Sequence, residues 1–580
     1  MKNFFQDFID EHEEIKISVV AVLIGLAAGY GNILFRYLIG VVQQFFYGSK
    51  DEYILYLLKT EPFYKVLFVP AIGGLAVGII GLIFKSAKGH GVPDVIKAIA
   101  LNKKISSSVA LVKTVSSAIT LGTGGSAGRE GPIVQIGASI GSGIGRVFKY
   151  SSERMKGAIA CGAAGGLAAT FNAPIGGAMF AAEVLLGEFG LKTFSPIIIS
   201  SVIATTVSRA YLGNHVTFEA PSYVLKSFLE LPLYAILGIV CAVVGVAFIR
   251  IFYKFEDFFE ELKIPKYVKP AIGGLLMGGI AIFSREIIGV GYDTIHEILI
   301  SERVGVFLVV ILILKIVATS LTLGSGGSGG LFVPSLFLGA ATGGFMGWLF
   351  GLLFPDITAY SGAYGLVAMS AMLAATIRAP LTSILIIFEI TQNYQIILPL
   401  MLSAIIANVV ANYLEKESIF TWILKKQGIN IKKGAEESIL KGIKVKEIME
   451  KDVVTFHEDT PFRQIKESFK RARNNYFPVL DHNDTLIGII SIEDIRSVIF
   501  EEGIEDIVVA GEIATKSNIV YLLPEEDLAK AIKKFNRKDL GALPVVEETP
   551  EGKLKFLGLL RRSDIAYAYN RAVADVKYES

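Results

Sequence analysis

Two glycine-rich stretches of the same pattern constrain this chain more than any other feature of its sequence. They read LGTGGSAGREGP from Leu121 to Pro132 and LGSGGSGGLFVP from Leu323 to Pro334, 202 positions apart. Both lie between strongly apolar segments, so the sequence places irregular backbone at membrane depth. Such backbone is tolerated there only where it is buried in protein or lines a polar cavity. We therefore predict two loops that face one enclosed site.

Composition supports a membrane region followed by a second, more polar region. Of the 580 residues, 52% are hydrophobic and 19% are charged, whereas soluble domains carry about 25% charged residues. The apolar surplus ends near Trp422, after which charged residues become frequent. Several apolar segments are shorter than the ~20 residues that a full span needs, which is typical of broken half-helices. The net charge of +2 gives no reason to predict a nucleic-acid partner.

The duplication extends well beyond the glycine loops. The segment PAIGGL occurs at 70–75 and again at 270–275, and the pairs that match at nearly the same offset are Lys113/Lys315, Gly89/Gly289, Gly91/Gly291, Pro174/Pro380 and Glu183/Glu389. We interpret the membrane region as two homologous halves. Hydropathy leaves open whether the halves are parallel or inverted, and we expect them to be inverted.

The two glycine loops predict an anion-binding site. Each opens into a helix, and the free N–H groups and positive end of a helix N-terminus favour a negative charge. Glu130 lies in the first loop, where its carboxylate can compete with an anion for those donors, and a carboxylate in a membrane segment is a functional candidate. We predict that Glu130 is a gate that opens when it is protonated. The alternative is a glutamate that serves only the helix dipole.

The polar C-terminal region contains a second, smaller repeat. Residues 444–500 and 511–571 each read as strand, helix, strand, strand, helix, and the repeat resembles a tandem pair of CBS domains. This resemblance implies an α+β regulatory module in which the aspartate of G-h-h-[ST]-x-x-D takes a ribose. Ser491 and Asp494 keep that pattern, whereas Asp564 has Arg561 in the place of the hydroxyl residue. The alternative is a structural pair in which the aspartates only cap helices.

Three segments of the membrane region together resemble the CLC family of chloride channels and proton/chloride exchangers. They are GHGVP at 89–93, GREGP at 128–132 and GLFVP at 330–334. The resemblance covers the chain from the first span to the C-terminus, and it implies a homodimer that transports chloride. It assigns the gate to Glu130 and the backbone donors to the anion-binding residues Arg129, Gly131, Leu331 and Phe332.

The sequence departs from the family pattern at three positions. His90 stands where the family has a serine ligand, so an imidazole is the predicted donor to the anion there. The alternative is a histidine turned away from the anion while the backbone binds it. Phe420 stands where the family has a tyrosine ligand, and Tyr413 is an alternative with the wrong spacing. Val184 follows Glu183 where exchangers carry a second acid, which leaves Glu130, Glu183 and position 184 as the candidates for a proton pathway.

These observations predict an α-helical polytopic membrane domain followed by an α+β CBS pair. The expected domains are 1–425 for anion transport, 426–443 as a linker, and 444–500 and 511–571 as the CBS domains. We expect chloride transport that is channel-like or weakly proton-coupled; the alternatives are a proton/chloride exchanger and, further away, a CBS-regulated membrane sensor. No nucleophile–base pair or metal-ligand spacing suggests an enzyme or a metal site. Chloride, protons and the lipid bilayer are the expected partners, with no required cofactor and an adenine nucleotide at the CBS pair.

Orientation can be argued from basic residues in short loops. Such residues crowd the loop around Arg146, Lys149 and Arg154, and Lys425 and Lys426 follow the last span. We expect both segments, and with them the CBS domains, on the cytoplasmic side of a multi-pass protein of the cell membrane.

Overall fold

The structure is a computed structural model that describes residues 13–50, 55–87, 89–187, 189–214, 218, 221, 223, 225–429, 440, 442–471, 476–496, 505–538, 540–550 and 552–578. The chain divides into two compact units, Met1–Ile429 and Asn430–Ser580. Most of the predicted linker, 426–443, lies outside the described residues.

The first unit is built from helices. In chain order they are α1 (Glu13–Tyr47), α2 (Leu55–Thr60), α3 (Phe63–Ile83), α4 (Val92–Ala100), α5 (Ser107–Gly122), α6 (Glu130–Val147), α7 (Ser152–Phe171), α8 (Pro174–Phe180, continued by a π-helical turn over Ala181–Leu186), α9 (Leu191–Leu212), α10 (Leu231–Glu261), α11 (Lys269–Phe283), α12 (Tyr292–Leu299), α13 (Phe307–Gly324), α14 (Phe332–Leu353), α15 (Ser361–Ile377), α16 (Pro380–Thr391), α17 (Ile397–Leu414) and α18 (Trp422–Lys426). Within the described residues, seven helical stretches are long and apolar enough to cross a membrane, and five apolar helices are shorter.

The short helices arise from breaks that recur in both halves. Asn172 ends α7 with φ 59°, and Arg378 ends α15 with φ 61°. Two residues later, Pro174 and Pro380 begin α8 and α16. A proline cannot donate to the preceding turn and restricts the residue before it, so each pair of helices is interrupted rather than continuous. The predicted half-helices are confirmed.

The two halves are related by reciprocal, antiparallel contacts between α3 and α11. A Cβ placed on Gly74 would lie 2.1 Å from the carbonyl oxygen of Pro270, and one on Gly274 would lie 2.3 Å from that of Pro70. One turn further along α3, Gly78 meets the carbonyl oxygen of Tyr267. The contact of Gly74 with Pro270 is followed along α3 by that of Gly78 with Tyr267, so α3 and α11 run in opposite directions. Equivalent helices that contact reciprocally and run antiparallel make the halves inverted, as predicted.

The second unit holds the small repeat. Its elements are α19 (Val445–Ile448), β1 (Phe456–His457), α20 (Phe462–Arg471), β2 (Tyr476–Leu480), β3 (Leu486–Ser491), α21 (Ile492–Arg496), α22 (Ala510–Ile513), α23 (Leu528–Lys538), β4 (Ala542–Glu548), β5 (Leu554–Arg561) and α24 (Arg562–Tyr578). Strand β1 pairs with β2 in parallel, and the pairs β2–β3 and β4–β5 are antiparallel. This is the predicted α+β module.

The prediction that each repeat begins with a strand is wrong, because each begins with a short helix, α19 or α22. In the first repeat the predicted strand follows that helix as β1, whereas the described part of the second repeat forms no strand of two or more residues between α22 and α23. In its described part, the residue that takes the place of β1 is Leu522, which forms only a single parallel bridge with Val545. Pro524 comes two residues later and has no N–H group to donate to a longer ladder. The sequence pattern showed the apolar residues of a strand but not the length of its pairing.

The first helix of each repeat also packs into the hydrophobic core of the other repeat. Val445 of α19 is buried with Leu528 and Phe535 of the second repeat, whereas Ala510 of α22 is buried with Phe456 and other residues of the first. The backbone N–H of Glu450 donates to the carbonyl of Leu559 at 2.9 Å. The two repeats therefore form one cooperative module.

The α3–α11 contact gives a test of the inverted arrangement. We expect Gly74→Ala to destabilise the protein by about 1–3 kcal/mol, because its methyl group collides with backbone. Gly157→Ala is the matched control: a Cβ there meets nothing within 4 Å, and alanine stabilises a helix interior by up to ~1 kcal/mol. Thermal unfolding in detergent measures both. Equal midpoints for the two variants would contradict the close approach of α3 and α11.

Candidate functional site

The two glycine loops meet and pair through their backbones. Gly128 N–H donates to the carbonyl of Gly330 at 2.8 Å, and Gly330 N–H donates to the carbonyl of Gly128 at 2.7 Å. A parallel bridge joins Gly89 to Ser328 beside this pair, and a Cβ on Gly131 would lie 2.3 Å from the carbonyl oxygen of His90. The three segments that the sequence singled out therefore converge on one place.

The convergence brings two helix N-termini together. Helix α6 begins at Glu130 with Arg129 as its N-cap, and α14 begins at Phe332 with Leu331 as its N-cap. The first N–H groups of a helix have no partner within it. Two positive helix ends thus face a common space, which is an arrangement that binds a single negative charge.

The side chain of Glu130 occupies this space. It is 1% exposed, and its Oε1 atom accepts a hydrogen bond from the Tyr292 hydroxyl at 3.2 Å. The Nε atom of Arg129 lies 3.9 Å from the same oxygen. The backbone N–H groups of Glu130 itself and of Val333 also interact with the carboxylate. The carboxylate therefore lies where an anion would find its donors.

Gly128 is required by this position of Glu130. A Cβ at Gly128 would lie 2.4 Å from Oε2 of Glu130 and 3.2 Å from Cδ of Pro334. Any larger residue would collide with the carboxylate or separate the two helix ends. The glycine is explained by close packing and not by its dihedral angles.

Sequence reasoning missed Tyr292. It is 3% exposed, it is the first residue of α12, and its ring lies 5.2 Å from the guanidinium carbon of Arg129. The sequence did mark this position, because Tyr292 comes directly after Gly289 and Gly291, the pair that repeats Gly89 and Gly91. The segment after Gly91 supplies an apolar valine instead, so the repeat alone did not indicate a hydroxyl group.

His90 is buried beside the loops, and its ring faces a residue that the sequence did not single out. His90 is 5% exposed, and its Nε2 atom lies 3.6 Å from Oε1 of Glu256 on α10. Its ring also contacts that of Phe252 edge to face, with centroids 4.9 Å apart. His90 and Glu256 line a cavity of about 510 Å³. The role of His90 as an anion ligand stays a prediction.

Phe332 and Phe420, which the sequence also predicted at the anion site, are both buried. The ring of Phe332 packs against that of Phe171 at 5.2 Å, so its side chain contributes packing while its backbone remains at the start of α14. Phe420 is 1% exposed, and the neighbouring Ile419 N–H donates to the carbonyl of Thr376 at 2.9 Å. Tyr413 is 90% exposed, which removes it as a substitute for the missing tyrosine.

Glu183 and Glu389 form a reciprocal pair of helix caps. Both oxygens of Glu183 accept hydrogen bonds from the start of α16, from Leu381 N–H at 3.2 Å and Thr382 N–H at 2.7 Å. Glu389 accepts in the same way from Ile175 N–H at 3.0 Å and from the next N–H group of α8. These contacts support the structural role that the repeat suggested for Glu183. Val184, the next residue, is half-buried in the π-helical turn.

Of the three residues predicted to bind a nucleotide, two line one cavity of the second unit and the third does not. Ser491 and Asp494 line a cavity of about 570 Å³ together with Tyr476 and Asn518, and Asp564 lies outside it. Oδ2 of Asp494 accepts from Ser491 N–H at 2.7 Å and from its hydroxyl at 2.6 Å. Asp494 is therefore a helix-capping residue whose carboxylate also borders an open cavity.

Comparisons with known proteins agree with these features. Residues 72–412 match the family described as voltage gated chloride channel, and residues 445–501 and 510–571 match the CBS domain. The chain is 31% identical to chloride channel protein CLC-f of Arabidopsis thaliana over 95% of this chain and 80% of the relative. It is 31% identical to voltage-gated ClC-type chloride channel ClcB of Escherichia coli over 69% of this chain and 97% of the relative.

Two solved structures have similar folds. A slow cyanobacterial Cl⁻/H⁺ antiporter aligns with a TM-score of 0.65 and 27% identity, covering 72% of this chain and 98% of the antiporter. A eukaryotic CLC transporter aligns with a TM-score of 0.61 and 19% identity, covering 95% of this chain and 98% of that chain; at that identity it supports the fold alone.

The position of Glu130 predicts how its variants behave. In Glu130→Ala the carboxylate no longer occupies the space between the helix ends, so we expect anion flux to continue and its pH-dependent gating to be abolished. Glu130→Gln should behave similarly, because it cannot regain the charge. Flux from liposomes at several pH values measures this. A wild-type pH profile in the alanine variant would contradict the gate.

The second unit gives a separate prediction. We expect an adenine nucleotide to bind weakly, and Asp494→Asn to lower its affinity by about tenfold or more, because a hydrogen bond to a charged group is worth about 1.5–3 kcal/mol. Asp564→Asn is the matched control and should bind as wild type does. Calorimetric titration of the full chain with ATP, ADP and AMP tests this; absence of binding at millimolar concentration would leave a structural role for the pair.

Proposed function

Because the chain belongs to the CLC family and carries two CBS domains, we propose that it moves chloride across a membrane along a pathway gated by Glu130. The observation that carries the proposal is the carboxylate of Glu130 between two converging helix N-termini. A carboxylate and a chloride ion carry the same charge and favour the same N–H donors, so they exclude one another from that space. Protonation removes the charge of Glu130 and its advantage over chloride.

Within the family, we propose that transport is channel-like or weakly coupled to protons. A proton needs ionisable groups or water along its route, because a bare charge in a low-dielectric interior costs several kcal/mol or more. Val184 has no ionisable group, and both oxygens of Glu183 are engaged as a cap of α16. Phe420 also removes a hydroxyl group from the inner part of the pathway.

The alternative is an exchanger with a fixed ratio of protons to chloride. The observation that favours it is the similarity to a slow Cl⁻/H⁺ antiporter, at 27% identity. Glu130, which exchange requires as well, is present and buried. The two proposals therefore differ in the delivery of protons to Glu130 from the inner side.

Assembly and placement are part of the same proposal. We propose a homodimer in the cell membrane with the CBS pair in the cytoplasm. The dimer rests on resemblance to the family, and the orientation rests on the basic loop that contains Arg146 and Arg154 and on Lys425 and Lys426 after the last span. A nucleotide bound at Ser491 and Asp494 would regulate transport from the cytoplasmic side.

A reversal-potential measurement decides between the two modes. Purified protein in liposomes is exposed to opposed chloride and proton gradients. We expect the reversal potential to track the chloride gradient and to shift only slightly with the proton gradient. A potential set by a fixed combination of both gradients, and abolished in Glu130→Ala, would contradict weak coupling and favour the exchanger.

A further inference from the structure

We propose that His90 and Glu256 form an inner proton-relay pair that delivers protons toward Glu130 in place of the acid missing at Val184. This inference rests on the proposed function, since it concerns how the Glu130 gate is protonated from the inner cavity. It accounts for weak rather than absent coupling. Neither the repeat nor the family pattern singled out Glu256.

The first observation is that both members of the pair have buried polar atoms ready for a proton. Among the described residues, Nδ1 of His90 and Oε2 of Glu256 are buried and have no hydrogen-bond partner. The other two atoms of the pair, Nε2 and Oε1, lie 3.6 Å apart. One bridging water or a small side-chain rotation closes that distance to a hydrogen bond. Buried polar groups are nearly always hydrogen-bonded, so these two atoms call for a partner, which a shared proton or a water molecule from the cavity can supply.

The second observation is the cavity. Its volume of about 510 Å³ is large enough for several water molecules, and its wall includes His90 and Glu256. Glu256 has a side chain that is 18% exposed, whereas His90 is 5% exposed. The Glu256 side chain is therefore the more exposed member of the pair, although its Oε2 atom is buried, and the His90 side chain is the inner one. This order is the one that a stepwise relay from water to the loops requires.

The third observation places His90 next to the gate loop. A Cβ on Gly131 would lie 2.3 Å from the carbonyl oxygen of His90, and a Cβ on Gly91 would lie 2.4 Å from that of Gly131. Gly131, which follows Glu130 in the chain, therefore packs directly against the backbone of His90. Helix α10 is fixed against the second glycine loop as well, because a Cβ on Gly324 would lie 3.1 Å from the backbone nitrogen of Glu256.

The other charged groups at the cavity do not take the place of this pair. The charged side chains in its wall, apart from Glu256, are Asp94 from α4, Glu260 from α10, Lys266 from the turn before α11 and Lys269 from the start of α11. Nζ of Lys269 is held by the backbone carbonyls of Phe259 and Glu260, Glu260 pairs with Lys426 at 3.0 Å, and Asp94 accepts from Gln135. Behind the loop, Lys113 donates to the carbonyl of Gly89 at 2.6 Å.

A proton passes from the cavity to Glu130 in steps, and in each step one bond to hydrogen forms as another breaks. A hydronium ion in the cavity gives a proton to the carboxylate of Glu256 and becomes water. The new O–H bond breaks as Nε2 of His90, whose neutral ring carries its proton on Nδ1, accepts that proton, which leaves a carboxylate and an imidazolium. The imidazolium then gives its Nδ1 proton to a water molecule, which passes a proton to the carboxylate of Glu130. The imidazole regains its starting tautomer by proton exchange with water, in which Nε2 loses a proton and Nδ1 gains one.

The pair also links protons to chloride electrostatically. With neutral His90 and ionised Glu256 the pair carries one negative charge, which disfavours an anion in the adjacent space. One added proton makes the pair neutral, whichever residue holds it. Chloride binding and protonation of the pair therefore favour one another.

The test measures protons and chloride in the same liposomes. With a chloride gradient as the driving force, we expect Glu256→Gln to lower the proton-to-chloride ratio by about tenfold or more relative to wild type, since a positioned proton-transfer group contributes that much or more. Glu260→Gln is the matched control, because it removes a carboxylate one turn along the same helix that does not contact His90. We expect it to keep the wild-type ratio.

Two further variants make the result decisive. Glu256→Asp keeps the carboxyl group and should retain measurable proton movement, which also covers the case in which the glutamine variant does not fold. Adding Val184→Glu to Glu256→Gln should restore the ratio by returning an acid to the family position. An unchanged ratio in Glu256→Gln, or an equal loss in Glu260→Gln, would overturn the pair. Wild-type liposomes that carry chloride but move no protons would also overturn it, and would leave the proposed chloride transport standing; absence of chloride flux would overturn the transport itself.

Discussion

The structure depends on the reciprocal backbone pairing of Gly128 and Gly330, which lets two loops exist inside an apolar region. An unpaired backbone group there costs several kcal/mol. The pair satisfies one N–H and one C=O on each loop, and it brings the starts of α6 and α14 together. The third residue of each helix is a proline, Pro132 or Pro334, which has no N–H group to leave unsatisfied. The donors that remain are those of the first residues of each helix, and they face the space that Glu130 occupies.

The inverted duplication explains why the pairing is reciprocal. Contacts on one side of the pseudo-two-fold relation recur on the other, as with Glu183 and Glu389. The halves differ where function requires a difference. The first loop carries Glu130 where the second carries Phe332, and the GxG segment of the second half leads into Tyr292, which holds that carboxylate. The second copy of the scaffold thus supplies the hydroxyl group that donates to the carboxylate carried by the first.

The sequence was sufficient to predict the features that arise from repetition and from local chemistry. The two homologous halves, the half-helices after Pro174 and Pro380, and the place of Glu130 all have signals within a short window or at a fixed offset. Hydropathy left open whether the halves are parallel or inverted, and the antiparallel packing of α3 and α11 shows the inversion. Tyr292 follows a repeated glycine pair, but the repeat does not indicate its hydroxyl group, and Glu256 has no signal of either kind. Each reaches its partner only through the packing of distant helices. The first strand of the second CBS repeat was overpredicted for the opposite reason: its apolar residues are present, but Pro524 prevents a longer ladder. At Ser491 and Asp494 the sequence pattern predicted the local helix cap, but it did not predict the cavity beside them.

The central claim is that two converging helix ends form an anion site that Glu130 fills when it is ionised. Anomalous diffraction from crystals grown in bromide measures this directly, with wild type and Glu130→Gln compared. We expect bromide beside the N–H groups at the starts of α6 and α14, and in the variant an added bromide where the carboxylate of Glu130 lies in this structure. Bromide bound elsewhere, with the same pattern in both proteins, would contradict the claim.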